Sequence, residues 1–152
     1  MPNDTPSSHA LLSYTDRLAV VWQDFLILCG RILLGWIFLQ SGWRKMMDIP
    51  GFAKTMPRRD LPEFLGYIAP PIEVLCGALI LLGAATRYAA LLVLLFTIVA
   101  TFSSHRYWNY PAAQQGNQSS HFWKNISMMG GQILLFVTAG GRYSIDALLR
   151  RK

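Results

Sequence analysis

The stretch GRILLGWIFLQSGWRK, from Gly30 to Lys45, decides the fold of this chain. It is almost wholly apolar, but it has an arginine near its start and a lysine at its end. One helical face carries five residues, spaced by four, three, four and three positions: Arg31, Gly35, Phe38, Gly42 and Lys45. Residues at such spacings lie above one another on an α-helix. The stretch is therefore predicted to be a helix whose basic, small-residue face turns toward other helices.

The predicted surroundings of this helix are a lipid bilayer. Its apolar block, residues 25–43, is about as long as the ~30 Å hydrocarbon layer at ~1.5 Å per residue. Of the whole chain, 53% is hydrophobic and 14% charged, against roughly 25% charged in soluble domains. The apolar residues form four blocks, at 25–43, 64–84, 88–104 and 126–139. We therefore expect an all-α integral membrane four-helix bundle, with two long connections, 44–62 and 106–125, on one face.

The chain is expected to hold a single domain, residues 17–149. Residues 1–16 are rich in proline and serine, a composition that favours a disordered tail. Residues 150–152 form a short basic tail. The net charge is +6, but the basic residues do not form a stripe on a soluble surface. Most basic residues lie at or beyond the ends of the apolar blocks, where they meet lipid headgroups, so the sequence argues against nucleic-acid binding.

A charge within the first span requires a partner. Burying an arginine at membrane depth costs at least ~2.5 kcal/mol, so Arg31 needs a counter-charge or a water-filled cavity. Glu73 is the only acid inside another apolar block, and it differs from Arg31 in depth by roughly 8 Å. We expect an Arg31–Glu73 pair, with Lys45 as the alternative partner. The pair either fixes helix register or places a protonatable carboxylate beside a pocket for a quinone-like ligand.

Glycines and prolines mark the expected packing of the first two spans. Gly35, Gly42 and Gly77 lie on the polar faces and are predicted to let the helices approach closely. Pro70 and Pro71 interrupt the second block, so its helix is expected to kink or to start again near them.

A second polar cluster is predicted where spans one and three end and span four begins. It consists of Lys45, His105, Trp108, His121, Lys124 and Asn125. Ammonium and imidazole groups beside aromatic rings suit a quinone carbonyl, whereas interfacial anchoring is the alternative. Two histidines sixteen positions apart, without nearby cysteines, do not match a usual metal spacing, so no metal site is expected. No motif for a nucleophile, phosphate loop or zinc protease is present, which leaves catalysis by protein groups alone unsupported.

Several segments together resemble the DoxX family of small four-span bacterial membrane proteins. They are the Arg31–Lys45 face, IEVLCGALILLG at 72–83 with Thr86 and Arg87, FWKN at 122–125 and GGRYSIDALL at 140–149. The resemblance covers roughly residues 26–149. It implies an inner-membrane protein, in some cases associated with quinone-linked or thiol-linked redox systems. Because that family is functionally mixed, it implies no single reaction.

Three functions remain open at this point. The first is a membrane subunit of a redox system with an interior pocket lined by Arg31, Lys45, Glu73 and His105, with a quinone as the ligand. The second is a noncatalytic scaffold or assembly partner for another membrane protein or a second copy of the chain. The third is a small-solute transporter. Four spans place both termini on one side, and the basic residues 150–152 favour the cytoplasm.

Overall fold

A computed structural model describes the backbone of residues 7–151 and the side chains of residues 13–151. Its α-helices are α1 (Ser7–Met46), α2 (Ile49–Ala53), α3 (Leu65–Leu82), α4 (Thr86–Ser104), α5 (Ala112–Thr138) and α6 (Ile145–Leu149). Short 3-10 turns cover Pro57–Arg59 and Tyr107–Asn109. No strand occurs in this part of the chain, so the predicted all-α class is confirmed.

Helix α1 begins earlier than the sequence suggested. It starts at Ser7 and runs for 40 residues, about 60 Å at the usual rise. Residues 7–16 of the predicted disordered tail are therefore helical, whereas 1–6 lie outside the described residues. Nothing after Pro6 in this segment is a proline or a glycine, so the helix of the first span extends backward residue by residue. Residues 13–23 are all exposed.

Helices α1 and α3 cross so closely that side chains do not fit between them. A Cβ atom on Gly77 would lie 2.6 Å from the backbone nitrogen of Leu39, and one on Gly42 would lie 2.8 Å from that of Val74. A Cβ on Gly35 would lie 2.9 Å from the carbonyl oxygen of Gly77. The three predicted packing glycines thus all lie at this crossing, which sets the distance between the two helices.

Helix α3 runs through both of its prolines without a break. It begins at Leu65, so Pro70 and Pro71 fall in its second turn. Only the carbonyls of Gly66 and Tyr67 lose their helical donors, because a proline has no N–H to give to the residue four positions before it. The expected interruption is thus replaced by a continuous helix that starts one turn ahead of the prolines.

The connection between α4 and α5 is shorter than predicted. Helix α5 begins at Ala112 rather than near Ile126, so most of the predicted connection 106–125 is helical. Polar residues such as those in AAQQGNQSSH indicate departure from lipid, but they do not by themselves end a helix. Pro111 stands at the N-cap instead. In the first connection, the predicted short helix is present as α2, with the N–H of Gly51 donating to the Asp48 carboxylate over 2.9 Å.

The outer surface of the helices is strongly apolar. Leu33 is 75% exposed and Leu134 is 67% exposed. Three stretches within the described residues are long and apolar enough to cross a bilayer: Ser13–Met46, Leu65–Leu82 and Thr86–Asn109. Helix α5 is absent from this group because its first half is polar. An apolar surface of this extent needs lipid around it, and the chain is accordingly a helical membrane protein.

Substituting Gly77 with alanine tests the α1–α3 crossing. We expect Gly77→Ala to lower the melting midpoint in detergent, because its Cβ meets the backbone of Leu39. Helix backbone cannot move aside as the end of a flexible side chain can. Gly130→Ala in α5 is the matched control, since nothing lies within 4 Å of its added Cβ. That control should melt at the wild-type temperature or above it. Equal melting of the two variants would contradict close contact at Gly77.

Candidate functional site

The Arg31 guanidinium is buried in a cage of backbone carbonyls. Its Nε donates to the oxygen of Ile80 over 3.0 Å, and Nη2 donates to that of Leu81 over 2.7 Å. Nη1 donates to Gly140 over 2.6 Å and to Tyr143 over 2.7 Å. The side chain is 1% exposed. We call this group the Arg31 cage, and it joins α1 to the end of α3 and to the turn after α5.

The predicted Arg31–Glu73 pair is wrong. Arg31 lies level with the C-terminal end of α3, where the last carbonyls lack helical donors and carry the negative end of the helix dipole. Those oxygens satisfy the cation without a carboxylate, while Glu73 lies near the middle of α3. Gly83 ends the helix with a positive φ of 67°. In the sequence, this glycine was the signal that the carbonyls just before it would lack helical donors.

Glu73 pairs instead with Lys45, which the sequence had proposed as the alternative. The Lys45 Nζ lies 2.5 Å from the Glu73 carboxylate, whose side chain is 3% exposed. The same ammonium lies 5.4 Å from the ring centre of Phe52 and 5.5 Å from that of Phe96, distances at which a cation is attracted to an aromatic face. Removing Lys45 would leave the buried Glu73 carboxylate unpaired, and removing Glu73 would leave the partly buried ammonium without its counter-charge.

Beside this pair lies a cavity of about 140 Å³, which we call the Lys45 cavity. Its polar lining consists of Ser41, Lys45, Glu73, Thr97, His105, Lys124 and Asn125. Phe38 and Phe96 are among its apolar walls. The volume corresponds to roughly five waters at ~30 Å³ each, enough for a small ring or headgroup. Five of the eight predicted pocket residues thus meet at one cavity.

The remaining three predicted residues do not line the cavity. Arg31 lies in its carbonyl cage. Trp108 is 52% exposed and packs its ring edge against Phe122. His121 lies behind His105, with the two rings stacked and their centres 5.2 Å apart. Because the side-chain amide oxygen of Gln118 accepts over 2.8 Å from the His105 Nδ1, the other ring nitrogen of His105 is available as an acceptor when the ring is neutral.

A buried row of hydroxyl and amide groups runs next to the cavity. Asn125 donates to the Thr101 hydroxyl over 3.0 Å, and Gln132 donates to the Thr97 hydroxyl over 3.0 Å. Gln132 is fully buried, although the sequence analysis did not place it in the site. A lone amide in an apolar block was the signal for it. These contacts join α4 to α5 and hold Asn125 toward the cavity.

Asp146 in α6 closes the opposite end of the bundle near the Arg31 cage. The backbone N–H groups of Ala85 and Thr86 donate to its carboxylate over 2.7 and 2.9 Å, so it caps the start of α4. Partial burial by itself would raise the pKa of Asp146, but these hydrogen bonds, together with Arg150, bring it below its ordinary value. The charged form is thus stabilised in the folded protein.

A family model described as DoxX matches residues 26–106, which is more than half of the chain and includes Arg31, Lys45, Glu73 and His105. The chain belongs to the DoxX family. The resemblance predicted from its sequence is thereby confirmed.

Two relatives of this DoxX protein come from Escherichia coli. Inner membrane protein YqjF is 35% identical over 130 residues, 86% of this chain and 96% of YqjF. Inner membrane protein YphA is 34% identical over 123 residues, 80% of this chain and 88% of YphA. CatD of Bacillus subtilis, which is named as a proposed oxidoreductase, is 33% identical over 70 residues, 46% of this chain and 52% of CatD. No solved structure gives a significant match.

Arg31→Lys tests the carbonyl cage of this DoxX protein. Lysine keeps the charge but cannot reach four oxygens in the planar arrangement of a guanidinium. We expect the free energy of unfolding to fall by at least ~2 kcal/mol, the order of the cost of buried acceptors left without donors. Arg44→Lys, at an exposed position of the same helix, is the control and should be near neutral. Equal stability of the two variants, measured by chemical unfolding in detergent, would refute the cage.

The Asp146 cap predicts a dependence of stability on pH. A folded-state pKa below the ordinary 3.8 stabilises the fold above that pH, and this contribution disappears as pH falls through the lowered pKa. We expect Asp146→Asn to melt below wild type at pH 6, and we expect this difference to be smaller at about pH 3 because the contribution has begun to disappear there. Glu63→Gln, at an exposed site, controls for a general effect of losing a carboxylate. A constant difference between wild type and Asp146→Asn at both pH values would contradict the cap.

Proposed function

We propose that this DoxX protein is a four-span inner-membrane subunit of a redox system and that its Lys45 cavity binds the ring of a quinone. The observation that carries the proposal is the Lys45–Glu73 ion pair, with its carboxylate buried, on the wall of a small cavity between aromatic side chains. A lipid-soluble redox ligand fits a helical protein of this kind, because it reaches the interior through the bilayer. Electrons would come from a partner redox protein.

The fourth span in this proposal is the second half of α5. The segment ISMMGGQILLFVT at 126–138 is apolar, and Leu134 and Val137 are exposed on it. Both ends of the chain then lie on one side, and the basic residues 150–152 favour the cytoplasm. The inner membrane as location is supported by the names of YqjF and YphA.

Donors in the Lys45 cavity match the acceptors of a quinone. The Lys45 ammonium uses one of its three N–H groups on Glu73. Its other donors and the charged Lys124 can hydrogen-bond a ring carbonyl, while Phe96 and Phe38 can pack against the ring faces. A cation beside the carbonyl also stabilises the negative charge that a quinone gains on reduction.

The carboxylate of Glu73 supplies a place for protons. Reduction of a quinone to a quinol takes two electrons and two protons, one proton on each oxygen. Glu73 can transfer one of them, because its carboxylate lines the Lys45 cavity and a positioned carboxyl group can donate and accept protons. His105 and His121, stacked between the cavity and the surface, provide a route for its replacement. The name of CatD agrees with a redox role.

A scaffold role is the second candidate, and the exposure of residues 13–23 in α1 favours it. Residues 13–23 are exposed and include Tyr14 and Trp22, which are 62% and 52% exposed. Because α1 is about twice as long as the hydrocarbon layer, part of it extends beyond the other helices. Such a helix offers a surface for an assembly partner without any need for the Lys45 cavity.

Bound quinone in the purified protein tests the proposal. We expect wild-type protein in lipid nanodiscs to retain quinone, detected by mass spectrometry after solvent extraction. Glu73→Gln should weaken quinone binding at least ~10-fold, or ~1.4 kcal/mol, because Lys45 is left without its counter-charge. Glu63→Gln, outside the cavity, should bind like wild type.

Two results would count against quinone binding. Wild-type protein without quinone, both as purified and after addition of quinone, would refute it. Equal binding by wild type and a folded Glu73→Gln variant would remove the Lys45 cavity from the site. Co-purification of a stable partner that survives Glu73→Gln but is lost when residues 1–20 are removed would favour the scaffold.

A further inference from the structure

A second, apolar cavity adjoins the Lys45 cavity. It has a volume of about 310 Å³ and lies between α3 and α4, against α2 and the 3-10 turn. Leu65 and Ala69 of α3 form one wall and Leu95 and Val99 of α4 form the other. We call it the outer groove. It is about twice as large as the Lys45 cavity and mostly apolar, apart from two basic side chains, Lys45 and Arg59, and two serines, Ser103 and Ser104.

The two cavities share a wall. Lys45, Phe96 and Ala100 line both of them. Two of these three, Lys45 and Phe96, separate the cavities by their side chains and not by helix backbone. A ligand longer than the Lys45 cavity can therefore continue past Lys45 and Phe96 into the outer groove.

The outer groove reaches the side surface of the helices, whereas the Lys45 cavity combines a buried wall with the exposed Lys124. Leu95 is 52% exposed and Val99 is 50% exposed, so the outer groove opens on the side surface of the helices. Around the Lys45 cavity, Glu73 is 3% exposed and Thr97 is 2% exposed. In a membrane protein the side surface faces lipid. The pair of cavities thus leads from lipid to a buried polar site.

The charges where the Lys45 cavity meets the outer groove favour one kind of headgroup. The Arg59 guanidinium donates to the Ser104 hydroxyl over 3.1 Å and lies 5.5 Å from the Phe52 ring centre. Within the described residues it forms no ion pair. Arg59 and Lys45 favour an electron-rich head, whereas the Glu73 carboxylate repels a phosphate placed in the inner cavity. A neutral head with carbonyl oxygens satisfies both conditions.

We propose that the Lys45 cavity and the outer groove form one site for a prenylated quinone, with the ring in the former and the first isoprenoid units in the latter. This inference rests on the proposed function and extends it to the tail. Burial of the tail in the outer groove gives binding energy that a ring alone does not have. The position of the groove also makes the entry lateral, from lipid between α3 and α4.

Tail dependence of binding tests the inference. We would measure affinities of the detergent-solubilised full chain for a benzoquinone without a tail and for the same ring with two isoprenoid units. Each ligand's partition into empty micelles is subtracted. We expect wild type to bind the prenylated ring at least ~10-fold more tightly. Ala69→Phe fills the outer groove and should abolish this advantage, while binding of the tail-free ring stays within about twofold.

The controls use neighbouring positions. Ile68→Phe adds the larger ring at an exposed position of the same turn, which does not line the groove, and it should keep the tail advantage. Val99→Phe fills the groove from α4 and should repeat the effect of Ala69→Phe. It also replaces that variant if Ala69→Phe does not fold.

The outcomes separate this inference from the proposed function. If neither quinone binds wild type, both fail. If the ring binds but the tail adds nothing, or if filling the groove weakens both ligands equally, the tail site is refuted while the ring site stands. Loss of the tail advantage on adding an anionic phospholipid would overturn the inference too, by showing that the groove belongs to a phospholipid.

Discussion

The structure depends on how two cations of one helix are satisfied away from water. Arg31 and Lys45 lie on the same face of α1, and each finds its partner at a different place along α3. Arg31 meets carbonyls at the end of α3, and Lys45 meets Glu73 in its first half. Between them the glycines hold the two helices in backbone contact. Sliding α1 along α3 would break both polar contacts at once, so together they set the register of the bundle.

The contacts of Arg31 and Lys45 differ in how many N–H donors they leave available for a ligand. Arg31 uses four N–H donors on four carbonyls and borders the ends of α3 and α5, which leaves little capacity for a ligand. Lys45 is engaged by one carboxylate and faces a cavity with further polar groups. Arg31 therefore stabilises the fold, whereas Lys45 lies beside a cavity that a ligand can enter. A polar face read from the sequence does not distinguish these two roles.

Membrane solvation accounts for most of the remaining architecture. The bilayer accepts leucines that a water-soluble protein would bury, so many large apolar side chains point outward, while small and polar ones share the interior with a few such as Phe38 and Ile80. That inversion explains why hydroxyls and amides such as Thr97 and Gln132 occupy the centre of the α4–α5 contact. It also explains how an apolar groove on the side of the protein can lead directly to a charged pair.

The amino-acid sequence alone determined the all-helical membrane class, the face of α1 that turns inward and the membership of the DoxX family. The helical class and the inward face follow from periodicity and composition, which report the environment of each residue, whereas the family follows from the likeness of whole segments to DoxX proteins. The tertiary structure decided which groups pair with Arg31 and Lys45. Helical spacing places Arg31 on a face but does not choose between a carboxylate and backbone carbonyls, which have no side-chain signature. It also decided where α1 and α5 begin, because polarity marks the limit of lipid, whereas a helix continues for as long as its backbone hydrogen bonds can form.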